Sequence, residues 1–191
     1  MRADLSMRGE TAAKTGVFLA LVGLCAFVRL IPHPPNFTPV ASAALFAGFF
    51  FNRRLVACAV PLLAVLVSDA VLGGYSRSVM IAVYAGHAFP VLLGMYFANR
   101  MTPLRIGGSA VIAAVVFFLG TNLAVWYNGI LFERTAAGLV ACYTAALPFF
   151  QHTLLGNLFW SATIFGAYGA ANWLVSYLQQ RNLQPVTIRK R

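Results

Sequence analysis

Acidic side chains are nearly missing from this sequence: Asp and Glu together fill 4 of 191 positions, and all charged residues make up only 9%. A water-soluble domain carries nearer a quarter, so water is excluded as the main solvent of the folded chain. Cysteine is sparse too. Cys25, Cys58 and Cys142 stand far apart in apolar surroundings, with no CxxC pair and no histidine at metal-ligand spacing. They read as small buried hydrophobes, which leaves neither a disulfide framework nor a zinc site. No Gly-x-x-x-x-Gly-Lys-Ser/Thr segment is present, so any ATP hydrolysis belongs to another chain. Ser68-Asp69 lacks a suitably placed histidine and Gly107-Gly108-Ser109 falls on the cytoplasmic side. No catalytic residue, cofactor or metal site is therefore assigned.

What fills the chain instead is hydrophobic, 60% of it, interrupted by short basic segments. The apolar runs are Thr15–Ile31, Thr38–Phe51, Leu55–Leu72, Ser78–Ala98, Gly108–Tyr127, Thr135–Phe150 and Thr153–Leu178. Thr38–Phe51 has 14 residues, about 21 Å of helix against a hydrocarbon core of about 30 Å. It spans if its outer end unwinds around the Pro-rich loop and protein shields it. Thr135–Phe150, with Pro148 inside it, reads as a re-entrant or interfacial helix on the outer face. The expected fold is thus all-α: an integral membrane bundle of six transmembrane helices plus that short outer helix. Residues 1–14 form a cytoplasmic N-terminal segment, 15–178 the membrane domain and 179–191 a basic cytoplasmic tail. The first run has no A-x-A cleavage site and is read as a retained helix.

The net charge of +10 is distributed in a way that argues against nucleic acid and for a bilayer. With the N-terminus in the cytoplasm, the inner side carries Arg2, Arg8, Lys14, Arg53, Arg54, Arg100, Arg105, Arg181, Arg189, Lys190 and Arg191. The outer side carries Arg29, Arg77 and Arg134. Eleven against three is a strong positive-inside bias. It places both termini in the cytoplasm of a bacterial inner membrane.

Polar residues are costly inside a membrane, so where they gather is informative. Here they sit at the outer ends of the runs: Arg29, His33, Asn36, Ser68, Asp69, Tyr75, Tyr84, His87, Thr121, Asn122, Trp126, Tyr127, Asn128, Tyr143, Gln151, His152 and Asn157. Asp69 is the one acidic residue within an apolar run, and Arg29 lies at a similar depth. Pairing them neutralises both, either as a staple between two helices or as part of a wall facing a polar ligand. His33, His87 and His152 lie 54 and 65 residues apart, which is no ligand spacing, and read as hydrogen-bonded histidines. Trp126, Tyr127, Tyr143 and Trp160 serve equally as an interfacial aromatic belt or as pocket lining. Ala12, Gly16 and Ala20 make a small-residue stripe near the cytoplasmic end of the first helix. It is either chance in an Ala/Gly-rich chain or a close helix contact.

One stretch, Arg29-Leu30-Ile31-Pro32-His33-Pro34-Pro35-Asn36-Phe37-Thr38-Pro39, is distinctive. With Ser68-Asp69, Tyr84, Thr121-Asn122, Trp126, Cys142-Tyr143, Ala146-Leu147-Pro148-Phe149-Phe150 and Gly156-Asn157, it resembles a family of uncharacterised bacterial membrane proteins. That family looks like the substrate-binding S-components of energy-coupling-factor transporters. The resemblance runs from about Gly16 to Leu178. More distantly it extends to the solitary cobalamin-uptake proteins, in which a cysteine after the third helix binds cobalt. The corresponding region here, Arg77-Ser78-Val79-Met80-Ile81, has no cysteine, so the likeness stops short of the cobalt ligand.

The resemblance implies uptake of a small vitamin-like nutrient in an outer pocket closed by the Pro-rich loop. It also implies that Ala12, Gly16 and Ala20 dock on a transmembrane coupling subunit with its ATPases, unless the chain works alone. The expected ligand-binding residues are Arg29, His33, Asn36, Phe37, Asp69, Tyr84, Asn122, Trp126, Tyr143 and Asn157. The alternative function is a structural subunit of a larger membrane complex, with a membrane enzyme third.

Overall fold

A computed structural model describes residues 2–74 and 76–182. Tyr75, and Arg189, Lys190 and Arg191 of the inner-side charge count, lie outside the described residues. The described chain is all-α: α1 (Arg2–Leu30), α2 (Val40–Phe50), α3 (Arg54–Leu72), α4 (Arg77–Phe97), a 3-10 turn (Ala98–Arg100), α5 (Pro103–Asn128) and α6 (Ala136–Asn182). Four stretches of helix, Gly9–Leu30, Arg54–Leu72, Arg77–Arg100 and Pro103–Asn128, are long and apolar enough to cross a membrane. Their outward faces carry large bare side chains such as Phe27, Leu66, Val71, Ile81 and Leu92, which a lipid solvent would cover and water would not.

The short helix α2 is the centre of the bundle. Nine of its eleven residues, Val40 to Gly48, are buried, as expected of a helix apolar on every side. Its main partner is α4, with α3 and α6 next. The α2–α4 crossing depends on two glycines in reciprocal positions. A Cβ on Gly48 would lie 2.1 Å from the Val91 carbonyl oxygen, and one on Gly94 would lie 2.0 Å from that of Leu45. The two backbones therefore touch directly. Ser42, the polar residue in α2, is fully satisfied: its hydroxyl donates to the Asn157 carbonyl (2.9 Å) and accepts from Ser161 (2.9 Å). At the other end Phe46, Phe49 and Phe50 interlock with Phe165 and Tyr168 of α6.

Two sequence expectations change. The separate re-entrant or interfacial helix over 135–150 does not form; Ala136–Asn182 is one helix of 47 residues that passes through Pro148. The cause is a buried stripe in helical register on both sides of the proline: Cys142, Ala146, Thr153, Asn157, Ser161 and Ile164. Keeping that stripe against its neighbours outweighs the one backbone bond that proline removes. Pro61 and Pro90 lie inside α3 and α4 in the same way. The second change is at α5, which begins at Pro103 rather than Gly108. Thr102 accepts from the Arg105 amide (3.3 Å) and Pro103 occupies the first turn, a start signal strong enough to carry the helix through Gly107-Gly108.

Candidate functional site

Segments from every part of the bundle meet at one of its ends around a cavity. Arg29 stands in the last turn of α1, and the chain then turns through Pro32-His33-Pro34-Pro35-Asn36 before α2 starts. The turn is held by the Phe37 amide on Pro34 O (3.0 Å) and the Thr38 amide on Asn36 O (3.0 Å). Asn36 takes the left-handed conformation (φ 63°), which asparagine tolerates better than most residues. His33 Nδ1 donates to Ile31 O (2.7 Å), so the turn is braced from within. Gly156 lets it sit on α6: a Cβ there would lie 3.0 Å from Phe37 Cα. The Phe37 ring packs on Phe159 at 5.6 Å, which fastens the turn to the long helix.

Behind this turn is a cavity of about 440 Å³. The loop side is formed by Arg29, His33, Pro35, Asn36 and Thr38. α3 and α4 add Leu72, Val83 and His87; α5 adds Phe117, Phe118, Thr121 and Asn122. Ala146, Phe149, Phe150, Thr153 and Asn157 of α6 close the far side. The wall is thus mostly rings and methyl groups, with a few amides and one guanidinium.

The guanidinium is firmly held. Arg29 Nη2 donates to Asp69 Oδ1 at 2.5 Å and Nε donates to Ser68 Oγ at 2.6 Å. Both charged side chains are almost covered, 10% and 5% exposed, so the pair sits where neither charge is tolerated alone. Ser68 passes its own hydrogen back to the helix, on Ala64 O and Val65 O. Three buried polar atoms near this pair make no well-formed hydrogen bond, Asp69 Oδ2, Tyr84 Oη and His87 Nδ1, although the Tyr84 hydroxyl and the Asp69 carboxylate interact with each other. His87 thus departs from the expectation of a hydrogen-bonded histidine. Its ring lies 4.7 Å from that of Phe117.

The expected binding residues divide into two groups. Arg29, His33, Asn36, Asn122 and Asn157 line the cavity together. Asp69 stands behind Arg29 as its counter-ion, and Tyr84 is off the wall with its hydroxyl beside the Asp69 carboxylate. Phe37 is turned toward Phe159. Trp126 donates from Nε1 to Thr135 O (3.2 Å), and Tyr143 donates to Leu119 O (2.8 Å) with its ring on Phe118. Trp126 thus fastens α5 to the residue just before α6, and Tyr143 ties α6 to α5. Residues that sequence reasoning left out of the set are Phe117, Phe118, Phe149 and Phe150, one ring pair on each of two facing helices.

Asn122 donates from its amide to Phe118 O (2.8 Å), which leaves the amide oxygen for another partner. Asn157 donates to Ala110 O (3.3 Å) and so also braces α6 on α5. Away from the cavity, Ala12, Gly16 and Ala20 are exposed on the outward face of α1, and a Cβ on Gly16 would meet nothing within 4 Å. Among the described residues no three of His, Cys, Asp and Glu gather as a metal site requires.

A family model described as a family of unknown function (DUF6580) matches residues 10–180. No curated protein and no solved structure matches the chain.

Proposed function

The chain belongs to the DUF6580 family, and we propose that it captures a small, water-soluble, vitamin-like molecule at the outer side of a bacterial inner membrane, as an S-component does. One observation carries this reading: a cavity of about 440 Å³ directly behind the 32–38 turn, ringed by phenylalanines and a few fixed polar groups. That volume and that mixture of walls are typical of small-molecule sites, usually about 300–1,000 Å³. A purely structural subunit, the alternative, has no need of empty space there. The turn suits a lid. Three prolines limit the freedom it has to lose on closing, which lowers the entropy cost of ordering it over a ligand.

The proposed topology has six passes. α2 is the short one, shielded by its neighbours, and α6 is the last, leaving both termini in the cytoplasm in keeping with the eleven-to-three split of basic residues. Release to the inside follows from reorientation in the bilayer, driven by a coupling subunit with ATPases or by the chain alone. In the coupled form, the exposed stripe Ala12, Gly16 and Ala20 leaves room for a partner helix. Gly16→Leu then abolishes co-purification of that subunit while folding is unchanged.

Native mass spectrometry on protein purified from its own membrane tests the central claim. The expected result is a bound small molecule, lost when Asn122 is replaced by alanine. A ligand-free spectrum under conditions that preserve lipid adducts, together with unchanged stability on addition of a cell-extract small-molecule fraction, refutes it.

A further inference from the structure

We propose that the cavity selects an uncharged, flat ligand carrying both a carbonyl and an N–H group, and rejects the matching carboxylate. This rests on the ligand-capture reading and adds the chemical class of the ligand.

The argument starts from Arg29. A guanidinium has five N–H donors in a fixed plane. Two are engaged, on Asp69 and Ser68, and the side chain also lines the cavity with donors to spare. An unopposed arginine on such a wall would select an anion. Here the charge is already cancelled by a carboxylate 2.5 Å away, and that carboxylate is itself covered. Asp69 is not on the cavity wall, and among the described residues no acidic side chain or lysine is. A ligand carboxylate on Arg29 would bring a second negative charge to the same guanidinium and leave the buried group with a net charge of −1. A ligand carbonyl takes the same hydrogen bond without that charge. Like charges side by side in a desolvated site are what such a pocket discriminates against.

The remaining polar groups point to the other half of the ligand. The amide oxygen of Asn122 is left over because its nitrogen donates to Phe118 O, so it can accept an N–H. His87 lines the cavity at 7% exposure and carries a buried ring nitrogen with no partner, the one orphaned polar side chain on the wall itself among the described residues. Phe117, Phe118, Phe149 and Phe150 all line this space, with Phe118 already packed on Phe150 at 4.8 Å and Phe117 on His87 at 4.7 Å, so a flat ring is received against this aromatic wall. A carbonyl toward Arg29, an N–H toward Asn122 or His87 and a ring against the phenylalanine wall together describe an aromatic carboxamide or a lactam-type heterocycle.

The test uses benzamide and benzoate, which share a ring and differ in charge, titrated into the full chain in lipid nanodiscs and read by thermal shift and calorimetry. Benzamide is expected to bind saturably and at least roughly tenfold more tightly than benzoate. Asp69→Asn, which frees the Arg29 charge, is expected to reverse the order; if that variant does not fold, the unmodified protein decides the matter alone. Benzoate binding equal to or tighter than benzamide overturns the charge argument while ligand capture stands. An unchanged order in folded Asp69→Asn also overturns it. Absence of saturable binding by either probe removes the proposed class, and ligand capture then rests on its own mass-spectrometric test.

Discussion

Gly94→Ala adds a single methyl group, and the α2–α4 crossing gives it nowhere to go. The new Cβ would stand 2.0 Å from Leu45 O and 2.9 Å from the Phe49 amide nitrogen, both of them backbone atoms that no rotamer change can move. Ordinary contact begins at 3.4 Å, so the helices must part by about 3.4 − 2.0 = 1.4 Å at the crossing. A gap of even 0.5–1 Å forfeits roughly a quarter to a half of each dispersion contact along the seam. Overpacking of this kind typically costs about 1–3 kcal/mol, and a backbone obstacle puts it at the upper end, about 3 kcal/mol. For a chain of this size that lowers the Tm by roughly 6–12 °C.

Gly48→Ala meets Val91 O at 2.1 Å and is expected to cost about the same. Because either methyl group alone separates the same two helices, the double variant is expected to lose clearly less than the sum of the two. Gly16→Ala is the control: a Cβ there meets nothing, and alanine is the better helix former by about 1 kcal/mol, so its Tm should hold or rise slightly. Thermal unfolding of the four variants in one detergent decides the matter. A Gly94→Ala protein that melts with Gly16→Ala refutes the direct backbone contact.

Further outcomes follow from the outer end. Replacing Arg29 or Asp69 alone by a neutral residue is expected to cost on the order of 3–5 kcal/mol, and replacing both much less; additive losses in a double-mutant cycle would show that the pair does not couple. Asn122→Ala is expected to weaken ligand binding by about 1–3 kcal/mol with insertion unchanged, measured by calorimetry in nanodiscs. Trp126→Ala should instead lower stability and leave affinity alone, because its Nε1 is engaged by Thr135 O; a selective loss of affinity would put Trp126 at the ligand. Reporter fusions after Arg54, Arg105 and Asn182 are expected to read cytoplasmic and those at Arg77 and Arg134 external, and a periplasmic C-terminus would remove the six-pass topology.

Much of this fold is legible in the sequence because polarity is expensive among packed apolar helices. Apolar runs bounded by Asn52-Arg53-Arg54, by Gly73-Gly74 and by Asn99-Arg100 end within a residue or two of the ends of α2, α3 and α4. The Arg29–Asp69 pair is legible for the same reason, since two charges at one depth have few other partners. What escapes is whatever depends on phase rather than composition. Pro148, Gln151 and His152 look like a break, yet the buried residues from Cys142 to Ile164 keep their register through them. The phenylalanines of the cavity wall are equally hidden. Phe117, Phe118, Phe149 and Phe150 look no different in sequence from residues on the outward faces, and only the three-dimensional pairing of α5 with α6 brings them to one cavity wall. A search for small residues at steps of three and four across the proline would have found the first of these and not the second.

The hydroxyl of Ser42 has a consequence for biosynthesis. Its partner carbonyl belongs to Asn157, 115 residues later in the chain. At about 5–20 residues per second, a ribosome takes roughly 6–23 s to travel that distance. Throughout that interval α2 lacks the helix that completes its surroundings. The contacts of Ser42 can therefore form only after the C-terminal half of the chain has been made, and a nascent chain arrested before Asn157 is expected to leave α2 more open to proteases than it is in the finished protein.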